Sequence, residues 1–314
     1  MMNRRQLLSA GAALPLLPAG AWAQSGAPAP APLADARRFA VGEVRVTALL
    51  DGSIRIGPEA LQGIDAEGYA TLMEEQFRDP QAFRAPVNGW LIEAPGGEVT
   101  LVDAGAGSAM GDGLGRLADN LRAAGVDPGA VTRLAATHLH PDHVGGALLD
   151  GEAAFPNAEL VVPEAERAYW TDDANMTEAT EPFFRTARTV LDRYGDRLDP
   201  ISGEAEVTST LTAVPLPGHT PGHTGYRVTS GDQSLLIWAD IVHVLPVQFA
   251  RPEVTIGFDV DPEAAARTRE RILDQVVADR TMIAGSHIDF PGIGHVKRDG
   301  GGYRLVAAPY PYQT

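Results

Sequence analysis

The chain has 314 residues, of which 41 are Asp or Glu and 25 are Lys or Arg, so its formal net charge is −16. Such an acidic surface repels phosphate backbones and anionic lipids, which argues against nucleic-acid partners and against binding to a membrane surface. The absence of cysteine excludes disulfides, thiolate nucleophiles and every metal site that uses a cysteine ligand. Any metal ion must therefore be bound by His, Asp or Glu.

The first 23 residues have the pattern of an export signal and do not belong to the fold. Arg4 and Arg5 precede an apolar run, and the small residues Ala21 and Ala23 fit a signal-peptidase site. The run is too short to serve as a membrane anchor, which needs about 20 residues. The paired arginines favour the twin-arginine route, which exports folded proteins, over the general secretory route. A periplasmic location is therefore expected.

The remaining chain predicts a linker and one domain. Residues 24–36 are rich in Ala and Pro and predict a stiff linker, and the domain is expected over residues 37–314. In the first half of the chain the apolar patterns predict strands at 44–50, 88–93, 99–102, 133–136 and 160–162, and helices at 114–124, 163–170 and 182–194. In the second half they predict strands at 211–214, 225–228, 234–238 and 281–284, and a helix at 262–277. Each half thus places strands before helices. The expected fold class is α/β, an αββα sandwich of two packed mixed sheets with outer helices.

The strongest motif follows the strand at 133–136. It brings four candidate ligands within six residues: His138, His140, Asp142 and His143. Side chains of an extended segment alternate with period two, so His138 and His140 point the same way and can bind one ion together. Asp142 and His143 lie past the bend at a proline and can face a second ion. Imidazole and carboxylate ligands suit Zn²⁺, and also Mn²⁺, Fe²⁺ or Co²⁺.

Three later segments carry further candidate ligands where a predicted strand gives way to a loop. They are Pro217-Gly218-His219-Thr220-Pro221-Gly222-His223-Thr224, the apolar strand ending at Asp240, and the short strand ending at His287. Together with the first motif, and in this order, they resemble the metallo-β-lactamase family over nearly all of the domain.

The resemblance implies two divalent ions, with zinc as the expected metal. The first ion is expected on His138, His140 and His223, the second on Asp142, His143 and His287, and Asp240 is expected to bridge them. A hydroxide between the ions is the expected nucleophile, because zinc lowers the pKa of bound water to about 7. Asp103 and His219 are expected to support the ligands without binding metal.

A narrower resemblance is to the methyl parathion hydrolases and related exported lactonases. Its most specific stretch is Ser286-His287-Ile288-Asp289-Phe290-Pro291-Gly292-Ile293-Gly294-His295. It implies a substrate pocket formed by Met110, Trp170 and either Phe183 or Phe184, although core packing is the alternative for Trp170 and Phe183. Met110 stands where that family has Phe, and it offers no ring to stack on, which argues against efficient turnover of organophosphates.

We therefore expect a dinuclear metallohydrolase of neutral, apolar lactones and aryl esters, with phosphotriesters as a side activity. Asp142 is the candidate catalytic residue for passing a proton to the leaving group, and the resemblance implies a homodimer. One alternative is an iron-dependent oxidoreductase of the persulfide dioxygenase type, and another is a non-catalytic periplasmic binding protein. The full ligand set, which includes His143 and His287, argues against both.

Overall fold

The first half of the domain builds one sheet whose strands lie in chain order. The computed structural model describes residues 34–309, so the predicted export signal and most of the predicted linker lie outside the described residues. The strands are β1 (Ala36–Val41), β2 (Val44–Arg55), β3 (Arg84–Glu93), β4 (Val99–Val102), β5 (Arg133–Ala135), β6 (Glu159–Pro163) and β7 (Leu198–Ile201). Pairing is antiparallel from β1 to β4 and parallel from β4 to β7. The parallel pairs bring the carboxyl ends of β4 and β5 together at one edge.

The second half builds another seven-stranded sheet, again in chain order. Its strands are β8 (Ala205–Thr208), β9 (Leu211–Pro215), β10 (Thr224–Ser230), β11 (Gln233–Ala239), β12 (Met282–Gly285), β13 (Ile293–Asp299) and β14 (Gly302–Ala307). Only β11 and β12 pair in parallel. Two short ribbons pair residues 61–62 with 255–256 and residues 148–149 with 152–153.

Seven α-helices accompany the sheets in the described part of the chain. They are α1 (Ala66–Glu74), α2 (Leu117–Ala123), α3 (Pro141–Val144), α4 (Glu164–Thr171), α5 (Glu181–Tyr194), α6 (Leu245–Ala250) and α7 (Pro262–Asp279). The start of α7 is typical: Asp261 accepts the backbone N–H of Ala264, which is otherwise unpaired, and a proline stands in the first turn. Within residues 34–309, no helix is both long enough and apolar enough to span a bilayer.

The core lies in three layers. Trp90 and Ile92 of the first sheet meet Tyr226 and Ile237 of the second between the sheets. The outer face of the first sheet is covered by α2, α4 and α5, and that of the second sheet by α6 and α7. The αββα sandwich predicted from the sequence is therefore confirmed.

Some boundaries differ from the predictions for local reasons. Helix α2 begins at Leu117 rather than at 114, because the Asp51 carboxylate accepts the backbone N–H groups of Gly115 and Leu117 and holds the chain before the helix. Strand β1 begins at Ala36, which was assigned to the linker. The elements that were not predicted are helices α1, α3 and α6 and strands β1, β7, β8, β13 and β14.

Candidate metal centre

Three imidazoles and one carboxylate converge at the ends of β5, β9 and β11. The His138 Nε2 and His219 Nε2 atoms each lie 3.0 Å from His140 Nδ1. Asp240 Oδ2 lies 3.4 Å from His219 Nε2 and 3.7 Å from His138 Nε2. These four buried residues, the first ligand group, each offer one atom within 4.8 Å of the others. His138 and His140 face the same point, as their alternation predicts.

The charge state of the first ligand group suits metal binding. Burial, reinforced by the neighbouring imidazoles, lowers the pKa of His138 and of His140 well below the ordinary value. Both rings are therefore neutral at pH 7, which is the form that coordinates a metal ion.

A second set of donors lies beside the first. Asp142 Oδ2 is 3.5 Å from His143 Nε2 and 3.6 Å from His287 Nε2, and these three residues form the second ligand group. Asp142 and His143 reach it because the one-turn helix α3 begins directly after His140. Asp240 contacts this group as well, since its Oδ1 lies 3.2 Å from His143 Nε2 and its Oδ2 lies 3.2 Å from His287 Nε2.

The donor set fits divalent metal ions on two counts. His143 Nε2 and Asp240 Oδ1 are buried and form no hydrogen bond among the described residues, although an unpaired buried polar atom costs about 1–3 kcal/mol. A cation between the groups would satisfy both atoms. In addition, nitrogen and oxygen donors without sulfur match the preferences of zinc and its neighbours in the first transition row.

The two histidines of the loop between β9 and β10 occupy the opposite places from those predicted. His219 faces the cluster, whereas His223 is fully engaged with the backbone. Its Nδ1–H donates to the carbonyl of Leu216 at 2.9 Å, and its Nε2 accepts the N–H of Asp240 at 3.2 Å. Burial lowers the pKa of His223 to about 3, so it is a neutral structural residue. The assignment of His223 as a ligand and of His219 as a supporting residue is corrected accordingly.

Asp103, which was predicted to support the ligands, contacts the second ligand group. Its Oδ2 accepts the His143 Nδ1–H at 2.8 Å, and the carboxylate also accepts the backbone N–H and the hydroxyl of Thr137. Asp103 has φ of 58°, in the left-handed region, directly after β4. Such a carboxylate behind a ligating imidazole fixes its tautomer and ring orientation.

Asp259 plays the same part behind His219 and was not predicted. The His219 Nδ1–H donates to Asp259 Oδ1 at 2.8 Å. Asp259 Oδ2 accepts the Ile256 N–H and lies 4.0 Å from Arg269 Nη2. Arg269 is buried and donates to the carbonyl of Ile241 at 2.6 Å, one residue after the shared Asp240. No local motif marks Asp259 or Arg269, because both act through tertiary contacts.

His243 is a further unpredicted member of the cluster. Its Nε2 lies 3.2 Å from Asp240 Oδ2, and its ring stacks on His287 with centroids 5.1 Å apart. Its Nδ1 is buried without a hydrogen-bond partner in the described chain. Burial lowers the pKa of His243 to about 4, so the ring is neutral. Its spacing of three residues after Asp240 is the one signal that the sequence offers.

A cavity of about 70 Å³ opens onto both ligand groups. Its apolar lining consists of Ile54, Met110, Phe183 and Phe258. Met110 and Phe258 are 39% and 42% exposed, so they form the rim. Met110 and Phe183 were predicted here, whereas Ile54 and Phe258 were not.

Trp170 and Phe184 do not line this cavity. The Trp170 Nε1–H donates to the buried Glu166 at 2.8 Å, and its ring packs edge-on against His140 from behind. Phe184 packs on Trp170 with ring centroids 4.7 Å apart and belongs to the core of the first sheet. Their predicted place in the pocket is corrected to that of a support beneath His140.

Comparison with known proteins identifies the family. Residues 82–287 match the metallo-beta-lactamase superfamily, which is more than half of the chain. The protein belongs to this superfamily. The crystal structure of the hydrolase AbOPH, in the beta lactamase superfamily, is 30% identical and has a TM-score of 0.83, with 90% of this chain and 100% of that chain covered.

Other members of the superfamily extend the comparison. AidC, a dizinc quorum-quenching lactonase, has a TM-score of 0.84 over 88% of this chain and 98% of its own, and at 23% identity it supports the fold. The N-acyl homoserine lactonase AiiA of Bacillus thuringiensis subsp. kurstaki is 26% identical over 174 residues, which is 55% of this chain and 62% of the lactonase. The chain spans about three fifths of the length of such curated relatives.

Proposed function

We propose that the protein is a dinuclear metallohydrolase of neutral, apolar lactones and aryl esters. The observation that carries this proposal is the pair of ligand groups that share Asp240 at the base of an apolar cavity. His138, His140 and His219 would hold one ion, and Asp142, His143 and His287 the other, with Asp240 between them. When bound, such ions activate water at neutral pH and stabilise negative charge that develops on a substrate oxygen.

Asp142 is the residue of the chain best placed to move a proton. It lines the cavity and remains 8% exposed, whereas the histidines behind it are more deeply buried. Burial alone would raise the pKa of Asp142, but His143 and His287 hold it below its usual value. The ionised carboxylate can take a proton from the attacking water and deliver it to the leaving oxygen.

The cavity wall sets the substrate class. Four of its lining side chains are apolar, Met110 and Phe258 among them form the exposed rim, and none of the described lining residues is Lys or Arg. An apolar wall without a cation favours neutral substrates over carboxylates or phosphate monoesters. The similarity of this chain to the lactonases AidC and AiiA supports lactones as the first substrates to test.

The test is metal content together with hydrolysis. We expect about two zinc, manganese or cobalt ions per chain, and lactone and aryl-ester hydrolysis that is lost on chelation and restored by the metal. One iron per chain, with oxygen consumption and no hydrolysis, would instead establish the oxidoreductase alternative. A protein that binds no metal would contradict both readings.

We also propose that phosphotriesters are poorer substrates than lactones. Met110 at the rim supplies no ring against which an aryl leaving group could stack. Comparing kcat/KM for acyl-homoserine lactones and for methyl parathion checks this directly. A preference for methyl parathion of about 100-fold or more, equivalent to about 2.7 kcal/mol, would overturn it.

Export and dimer formation are separate proposals that rest on the sequence. For the signal over residues 1–23, changing Arg4 and Arg5 to lysine should trap the precursor in the cytoplasm, as measured by cell fractionation. Unchanged export would indicate the general secretory route instead. For the homodimer, light scattering on the purified protein should give twice the mass of the chain.

A further inference from the structure

One buried carboxylate serves no part of the chemistry described so far. Glu166, on α4, is 0% exposed, and no salt bridge to it forms within residues 34–309. Burying an ionised group without a cationic partner is costly unless hydrogen bonds replace its hydration. Hydrogen-bond donors rather than a cation therefore have to compensate Glu166.

Three donors do so, and two of them come from the loops that carry the first ligand group. Glu166 Oε2 accepts the backbone N–H of Leu139 at 3.1 Å and the Trp170 Nε1–H at 2.8 Å. Its Oε1 accepts the backbone N–H of Gly222 at 2.8 Å. Leu139 stands between His138 and His140, and Gly222 stands in the His219 loop.

The fit of this contact is tight. A Cβ atom placed on Gly222 would come within 2.5 Å of the Glu166 backbone nitrogen and 3.0 Å of its Cγ. Only glycine therefore lets the His219 loop approach α4 closely enough for the hydrogen bond. The third donor, Trp170, packs its ring against His140 with centroids 5.4 Å apart. Glu166 thus contacts both the backbone next to His140 and the indole that packs against the His140 ring.

The second ligand group has different supports. The His143 Nδ1–H donates to Asp103, and the His287 Nδ1–H donates to the carbonyl of Pro86, each at 2.8 Å. Neither contact involves α4. We propose that Glu166 is a positioning residue that sets the metal affinity of the first ligand group alone, an inference that rests on the proposed function.

The test is a stepwise metal titration of E166Q. The side-chain NH₂ of Gln must face an N–H donor on one side or the other, because all three groups around Glu166 donate. We expect the affinity of the first ligand group to fall about 10–100-fold, the range typical of partners behind ligands, while that of the second group is unchanged. The H219A variant identifies which step of the titration belongs to the first group.

Matched variants separate positioning from general destabilisation. Glu164, on the same helix, is half-buried and bonded to Arg167 away from both ligand groups, so E164Q should leave both affinities unchanged. The visible spectrum of the cobalt-loaded protein should change in E166Q and not in E164Q. Should E166Q fail to fold, W170F removes one of the three donors and should show a smaller loss confined to the first step.

The outcomes distinguish the two proposals. Equal losses of metal affinity in both steps of the titration, or no loss of affinity in E166Q or W170F, would overturn the role of Glu166. Either result would leave the proposed metallohydrolase function intact. A wild-type protein that binds no metal would overturn the proposed function and the role of Glu166 together.

Discussion

His219 and His223 lie four residues apart in one loop and have opposite surroundings. His219 faces the cluster with Nε2 because its Nδ1–H donates to Asp259. Both ring nitrogens of His223, in contrast, form hydrogen bonds with the backbone of Leu216 and Asp240. The difference arises from partners distant in sequence. Spacing within the loop therefore carries no information about which ring binds metal.

The two histidines should respond differently to the same substitution. H219A removes a ligand, so we expect metal affinity of the first ligand group to fall by more than about 100-fold, beyond the range seen for supporting partners. H223A leaves the ligands and should instead lower the free energy of unfolding by about 1–3 kcal/mol, because two backbone groups lose a buried partner. Metal titration and urea unfolding of both variants check this. A loss of metal affinity in H223A and not in H219A would show that His223 is the ligand, as the sequence predicted.

Asp259 should control the affinity of the same group through His219. Burial alone would raise the pKa of Asp259, but the hydrogen bond from His219 holds it below its usual value, so the carboxylate is ionised. D259N keeps the shape and removes the charge, and metal affinity should fall about 10–100-fold. Two residues on, D261A removes the cap of α7 and should cost about 1 kcal/mol of stability without changing metal affinity. Equal metal affinities in the two variants would contradict the prediction.

At the scale of elements, the loop from 104 to 116 depends on one side chain of β2. Asp51 is buried, and its carboxylate accepts the backbone N–H groups of Ala106, Gly115 and Leu117 at 2.8–3.1 Å. These bonds close the loop that carries Met110 to the cavity rim. The predicted strand ends at residue 50, whereas β2 continues through Asp51 to Arg55.

D51N should therefore loosen the loop. The Asn amide cannot accept from all three donors, so the free energy of unfolding should fall by about 1–3 kcal/mol. KM for lactones should rise, because Met110 loses its fixed place, while the metal content should not change. Exposed Asp112 of the same loop provides the control variant D112N, which should match the wild type in unfolding, KM and metal content. A D51N protein with wild-type stability would show that the three bonds do not hold the loop.

Most of the cluster followed from the sequence because its residues stand where strands end. His138, His140, Asp142, His143, Asp240 and His287 all follow β5, β11 or β12. The parallel pairing of β11 and β12 brings two of these ends together, and the packing of the two sheets places the end of β5 beside them. The residues that support the ligands could not be predicted from the sequence. Glu166, Asp259 and Arg269 lie in helices or loops, and their partners are set only when the elements pack. For the same reason, periodicity could not separate Trp170, which supports His140, from Phe183, which lines the cavity.

At the scale of the whole molecule, metal binding should govern stability in a pH-dependent way. Burial alone would lower the pKa of His143 and His287, but Asp240 and Asp142 raise both above the ordinary value. In the metal-free protein these protonated rings contribute stability below a pH of about 6.5, and that contribution is lost as pH rises through the raised pKa values. Metal binding requires the neutral rings, so it releases these protons and strengthens as pH rises.

Chelation should therefore lower the thermal midpoint more at pH 8 than at pH 6. At a free metal concentration 100 times the dissociation constant, each site adds about 2.7 kcal/mol to the free energy of unfolding. Calorimetry with zinc and with a chelator at the two pH values measures the difference. An equal effect of chelation at both pH values would show that His143 and His287 do not exchange protons for metal.

Each sheet is made from one uninterrupted half of the chain, and the halves meet at the exposed residues 202–204. Each of the two ligand groups draws on both halves, because His138 and His140 need His219, and Asp142 and His143 need His287. A metal ion would thus link two halves whose strand pairing is confined to the short ribbon of residues 61–62 and 255–256. Cutting the backbone at Gly203 should yield two fragments whose reassembly is strengthened by metal, so that the protein becomes a split reporter of zinc.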